Sequence, residues 1–363
     1  MGYTIEQIAA ALGTTAVGAA DIEVEGAAEP ADATERQLAL AMKPEFAEKL
    51  GQGKARAAVL WADADWQGFG LEAAILAPRP RFAMAGLTAM LDPGQGWEAG
   101  VHPSAIVHET AELGADVSIG PLAIVGAGAK IGEGTVIGPQ CYVGGEAEIG
   151  PGGFLREGVR IGPRVRIGAR FICQPGTVIG GDGFSYVTPE PSGVEKARKT
   201  LGDQGEAQAQ TWARIHSLGS VEIGDDVEVG SNTTIDRGTI RSTRIGNGTK
   251  IDNLVMIGHN CEIGNDCLLC GHSGLAGSVR LGNNVVLGGQ AGVSDNTFVG
   301  DNVIAGGASV ILSNVPAGRV VLGYPAMKMD STLELFRNFR RLKRLFADVD
   351  ALKKTVSKTP STD

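Results

Sequence analysis

Aromatic residues are scarce, with four Trp, four Tyr and ten Phe among 363 residues, while glycine reaches 54. That balance disfavours an ordinary sandwich or doubly wound enzyme domain and points to a repetitive architecture. Positive charge is also in deficit: a formal net charge of -9 and a pI near 5.2 give no general attraction for nucleic acid or an anionic membrane surface. An anionic partner must therefore meet a local basic patch. No apolar run approaches the roughly 18 residues of a membrane span. The start, "MGYTIEQIAAALGTTAVG", has neither the basic and apolar regions of a secretory signal nor the Ser or Thr of a myristoylation signal. Five cysteines in such a chain read as reduced thiols, and the expected location is cytoplasmic. Apolar character, at 43%, suffices for a sizeable core.

A six-residue period organises most of the chain. Val101, Val107, Leu113, Ile119, Val125, Ile131, Ile137, Val143, Ile149, Leu155, Ile161, Ile167, Cys173 and Ile179 follow at every sixth position, often with Gly next. The ladder stops at "GGDGFSYVTPEPSG", restarts at Ile223, Val229 and Ile235, slips through "DRGTIRSTR", and runs again from Ile245 to Ile311. A hexapeptide repeat is the signature of a parallel β-helix whose coils bury one side chain per short strand. The residue four after each rung also leans inward and is small, as at Ala123, Ala129, Thr135, Cys141 and Ala147.

Residues 1–100 read differently. "TIEQIAAALG" has helical spacing and a Gly stop, while "ARAAVLWADAD" and "LEAAILAP" read as short buried strands, together a small α/β domain. Residues 101–325 form the β-helix, with an excursion at about 182–214. Residues 326–363 form a helical extension in which Leu333, Phe336, Phe339, Leu342, Leu345 and Phe346 share one face, with Arg337, Arg340, Arg341, Lys343 and Arg344 among them. That basic amphipathic helix suits a trimeric bundle or an acidic protein partner. The tail "SKTPSTD" reads as frayed.

His259, in "DNLVMIGHNCEIGNDC", sits two positions after the inward Ile257, at an outward corner. If a coil is 18 residues long, Gly277 stands directly above it, leaving room for substrate and a free backbone N–H. Asp252 follows the inward Ile251, so its carboxylate can also lie outside, where it would fix the imidazole tautomer and strengthen a base. The bland alternative is a surface histidine at a turn. A metal site built from His259, Cys261, Cys267, Cys270 and His272 is disfavoured, because Cys261 and Cys267 occupy the small inward position. The glycines of "GGDGFSYV" suggest either a phosphate cradle or only a turn out of the helix; the excursion after them, with Lys196, Arg198 and Lys199, exceeds an ordinary turn.

"SNTTIDRG", "IDNLVMIGHNCEIG", "GGDGF" and the late "GYPA" resemble, in order and spacing, the UDP-3-O-acylglucosamine N-acyltransferase family of hexapeptide acyltransferases. The resemblance spans nearly the whole chain. It implies a left-handed β-helix with 18-residue coils, a homotrimer, and transfer of a 3-hydroxyacyl chain from acyl carrier protein to the 2-amino group of a UDP-3-O-acylglucosamine in lipid A biosynthesis, without a cofactor. It also implies His259 as general base, Asp252 as its orienting carboxylate and Gly277 N–H as oxyanion donor. Nucleotide-sugar contacts fall on Leu40, where the family usually has an aromatic, and on Lys43, Phe46 and Asn296, the last replacing a family histidine. Val310 and Leu312 fall in the acyl-chain groove; carrier-protein contacts fall on Arg337, Arg340, Arg341 and Arg344. The rival readings are another β-helix sugar-nucleotide acyltransferase, a noncatalytic trimeric scaffold binding acyl carrier protein, and a zinc hydratase of the β-helix class.

Overall fold

The computed structural model describes residues 2–200, 202–206, 209–323 and 326–356; Tyr324 and Pro325 of "GYPA" and the tail "SKTPSTD" lie outside them. The chain divides into two compact units, residues 1–97 and 98–363.

In the first unit a five-stranded sheet runs in the order Thr15–Gly18, Ala73–Ala77, Ala57–Trp61, Gln37–Leu40, Gly26–Ala28. The first pair is antiparallel and the others are parallel. The helix Ile5–Ala11 starts on a capping box in which the Thr4 hydroxyl accepts from Gln7 N–H and the Gln7 side chain accepts from Thr4 N–H. Ile5 and Ile8 pack with Leu38, Val59, Ile75, Ala83 and Leu87, while Ala39, Ala58, Leu60 and Ala74 on the alternate sheet positions pack with Leu50 and Leu71. Both faces are thus covered, as parallel strands require.

In the second unit the ladder becomes a prism with three faces, sheets of ten, ten and nine two- to four-residue strands. Register fixes the coil. Ile119 pairs with Ile137 and Ile257 with Leu275, so the coil length is 18 residues. Rungs such as Ile161, Ile179, Ile235 and Ile257 are fully buried in one continuous core, each contributing about 1.5–3 kcal/mol of apolar burial. Val101 and Leu113, at the end of the stack, stay exposed. Within the slip, the pairing of Thr234 with Met256 spans 22 residues, so one corner carries four extra residues and the core register is untouched.

The second inward column explains the cysteines. Thr135, Thr233 and Thr249 are buried there and donate to the carbonyls of Gly150, Asp252 and Gly264. Cys141, Cys261 and Cys267 occupy the same column and donate equivalently to Arg156, Ala276 and Gly282. A small side chain with one weak donor meets both packing and polar demands. Burial pushes the Cys141 thiol up to about 11 and that of Cys261 to about 12, so neither is a thiolate near neutral pH. Maleimide added to the native protein is expected to leave Cys141, Cys173, Cys261 and Cys267 unmodified until denaturant is present, as read by peptide mass spectrometry. Labelling of Cys261 in the folded protein would show instead that the corner beside His259 opens.

The excursion leaves the helix after the strand Val178–Gly181, forms an antiparallel pair between Tyr186–Val187 and Ala213–Arg214, and carries the helix Gly193–Thr200. A 28-residue helix, Met329–Val356, ends the described chain. No described helix is long and apolar enough to cross a membrane.

Candidate active site

His259 closes the strand Met256–Ile257 and turns into a corner where Asn260 adopts φ 62°. That left-handed turn folds the Asn260 amide back toward the imidazole: Nδ1 of His259 lies 2.9 Å from Asn260 Oδ1. The same oxygen accepts from the Thr239 N–H (3.1 Å) and hydroxyl (3.0 Å), while Asn260 Nδ2 donates to the Arg241 carbonyl. These bonds identify the amide oxygen, so the imidazole donates from Nδ1 and keeps its lone pair on Nε2. Asn260 is therefore the residue that sets the tautomer, and it escaped the sequence reading because a polar residue after a corner histidine looks like turn chemistry alone.

Two glycines enclose the ring. A Cβ at Gly277 would stand 2.7 Å from Cε1 and 2.8 Å from Nε2, and one at Gly183 would stand 2.6 Å from the His259 Cβ. Gly277 thus lies directly over the basic nitrogen. Other corners cap the N–H below with an amide or carboxylate, as Asn265 does for Asn247 and Asn283 does for Asn265. Asp295, in the matching place above Gly277, points its carboxylate to Arg198 at 3.3 Å instead. Among the described residues the Gly277 N–H has no acceptor. A basic nitrogen beneath a free N–H can take a proton from a nucleophile while the N–H receives developing negative charge.

Gly183 belongs to "GGDGF", so the excursion starts against the imidazole, and its N–H donates to Ser217 Oγ at 3.0 Å. The site needs glycine there because any side chain would occupy the space of the ring. Asn296 stands at the same corner as Gly277, donating from its backbone to the Gly277 carbonyl and from Nδ2 to Asp295. Above Met256, the outward positions of the next two strands are Gly274 and Gly292, and Val310 follows. Val310 and Leu312 are 63% and 76% exposed, so neither is ladder packing; Val310 ends a strip whose floor, at Gly274 and Gly292, has no side chains.

Within one chain Asp252 and His259 stand apart. Asp252 closes the strand Lys250–Ile251 on a different face, one corner before His259, and its carboxylate accepts from Gly271 N–H (2.9 Å) and Asn253 N–H (2.8 Å). A seven-residue spacing carries the chain round a corner, so the two side chains do not pair within one chain. Asp252 instead lines a surface depression of 480 Å³ with Gln174, Glu228, Ser231, Lys250 and Cys270.

In the first unit Leu40 is half-buried against the sheet core. Lys43 precedes the turn of helix Pro44–Ala47 and pairs with Glu45 at 3.6 Å. Phe46 is half-buried and lies outside both apolar clusters. Arg337, Arg340, Arg341 and Arg344 are exposed on the terminal helix, and so are Leu333, Phe336, Phe339, Leu345 and Phe346 beside them.

The pattern described as bacterial transferase hexapeptide (six repeats) matches residues 110–145, 128–163 and 242–277. Its last match ends on Gly277, so the coils that build the histidine corner are those of a hexapeptide-repeat transferase. The UDP-3-O-acylglucosamine N-acyltransferase of Ruegeria pomeroyi is 68% identical over 99% of this chain and 99% of its own. That of Paracoccus denitrificans is 58% identical over 99% and 98%. The chain belongs to the UDP-3-O-acylglucosamine N-acyltransferase family and is an acyltransferase with a left-handed hexapeptide β-helix. Among solved structures, the UDP-N-acetylglucosamine O-acyltransferase of Moraxella catarrhalis is similar at 27% identity over 72% of this chain and 92% of its own, with TM-score 0.44.

Proposed function

We propose that the chain transfers a 3-hydroxyacyl group from acyl carrier protein to the 2-amino group of UDP-3-O-(3-hydroxyacyl)glucosamine, a step of lipid A biosynthesis, as a cytoplasmic homotrimer. The observation that carries this reading is the Nε2 lone pair of His259, fixed by Asn260 beneath the unbonded Gly277 N–H. The amine attacks the thioester carbonyl, Nε2 takes the proton the amine sheds, and Gly277 N–H donates to the oxyanion. Collapse of the tetrahedral adduct breaks the C–S bond, and the imidazolium returns its proton to the departing thiolate. The acyl chain lies along Gly274 and Gly292 toward Val310 and Leu312. Phe46 and Lys43 serve the uridine diphosphate end rather than Leu40, which is committed to core packing, and Asn296 offers a neutral donor where phosphate binds. Arg337, Arg340, Arg341 and Arg344 receive the acidic carrier.

Trimerisation has one support: the exposed apolar face of the terminal helix needs partners. Incubation with UDP-3-O-(3-hydroxyacyl)glucosamine and a series of 3-hydroxyacyl carrier proteins is expected to yield the N-acylated sugar nucleotide and free carrier thiol by mass spectrometry. No amide with any chain length, from a folded oligomer, would reject the reading.

A further inference from the structure

"SNTTIDRG" places a second carboxylate at the histidine corner that the mechanism above leaves unused. The strand Thr234–Asp236 pairs directly with Met256–Ile257, Ile235 opposite Ile257, so Asp236 leaves the sheet beside the turn that carries His259. On its other side it pairs with Gly181. A Cβ at Gly181 would be 4.0 Å from Asp236 Oδ1 and one at Gly183 2.6 Å from His259, so one stretch of the excursion borders both side chains. The carboxylate is half-buried and, among the described residues, has no hydrogen-bond or ion-pair partner; the backbone carbonyl of Asp236 accepts from the Thr243 hydroxyl.

We propose that Asp236 is the in-chain electrostatic partner of His259, a positioning residue that holds the imidazolium formed when Nε2 takes the proton of the attacking amine. The inference rests on His259 being the base. Asn260 fixes the tautomer but is neutral, and a neutral amide stabilises an imidazolium less than a carboxylate does. Burial raises Asp236 to about 6, with the charge of His259 the chief opposing influence. The other charged groups nearby are engaged elsewhere: Asp182 pairs with Arg214 at 2.7 Å and lies 4.0 Å from Arg237, and Arg241 pairs with Glu262 at 2.8 Å. Among the described residues Asp236 therefore remains the carboxylate at this corner without a cation of its own.

The fold does not benefit from this charge. A carboxyl raised in the folded state favours folding when protonated, and that contribution fades as pH rises through about 6. Asp236→Asn, nearly isosteric, is therefore expected to melt no lower than the parent at pH 7.5 while losing about tenfold in kcat/KM, within the usual range for electrostatic support of a base. The acid limb of its pH–rate profile moves to lower pH, because without the neighbouring anion the imidazole holds its proton less tightly; Asp236→Glu moves the limb back. A parent-like rate and limb overturns the proposal, and so does a loss of rate with the limb unmoved. His259→Ala run alongside separates the two readings: if it stays active the base assignment fails, whereas an inactive His259→Ala beside a parent-like Asp236→Asn refutes only the role of Asp236.

Discussion

Replacing His259 with alanine is expected to lower kcat/KM by about 10² to 10⁴, the usual cost of losing a general base, while KM for the sugar nucleotide changes little. The attacking amine must shed a proton, and Nε2 of His259 offers a lone pair that Asn260 holds in place. The fold should survive: the ring packs between Gly183 and Gly277 on the outside of the coil, and the buried rung is Ile257, two residues earlier. Circular dichroism and sedimentation should match the parent. His259→Gln is the sharper variant, because it keeps bulk and hydrogen bonding but cannot take up a proton at neutral pH. A Gln variant with parent-like turnover would show that the amine arrives already neutral and that the corner supplies only the oxyanion donor and position.

The fold was legible because the period is a physical constraint. A six-residue apolar ladder has one economical solution, and coil arithmetic placed Gly277 over His259. Contacts that depend on leaving the period were not legible. Gly183 reaches the imidazole across 76 positions through an excursion with no repeat, and Asn260 does so because its backbone turns left-handed. Asp236 stood in a motif that was read, yet its partner strand lies across four inserted residues. The distance between Asp252 and His259 within one chain was hidden for the opposite reason: they are near in sequence, but seven residues pass a corner of the prism. The terminal helix was legible as amphipathic, but a single chain gives its apolar face nothing to cover it.

That corner geometry makes Asp252 a test of assembly. Within one chain its carboxylate is bonded to Gly271 and Asn253 and closes a different face from His259. If Asp252 orients the base, each site takes its histidine from one subunit and its aspartate from the next, as a closed threefold ring repeats one heterologous contact. Asp252→Asn and His259→Ala are then each expected to be nearly inactive as pure trimers. Unfolding and refolding the two together should regenerate activity, since about one site in four in a random mixture joins an intact His259 to an intact Asp252 from a neighbour. The regenerated fraction is read as initial rate against a co-refolded parent. Complementation that never rises above the two variants would mean that Asp252 acts within its own chain, through the Gly271 turn and the depression it lines, and that the base relies on Asn260 and the groups of its own corner.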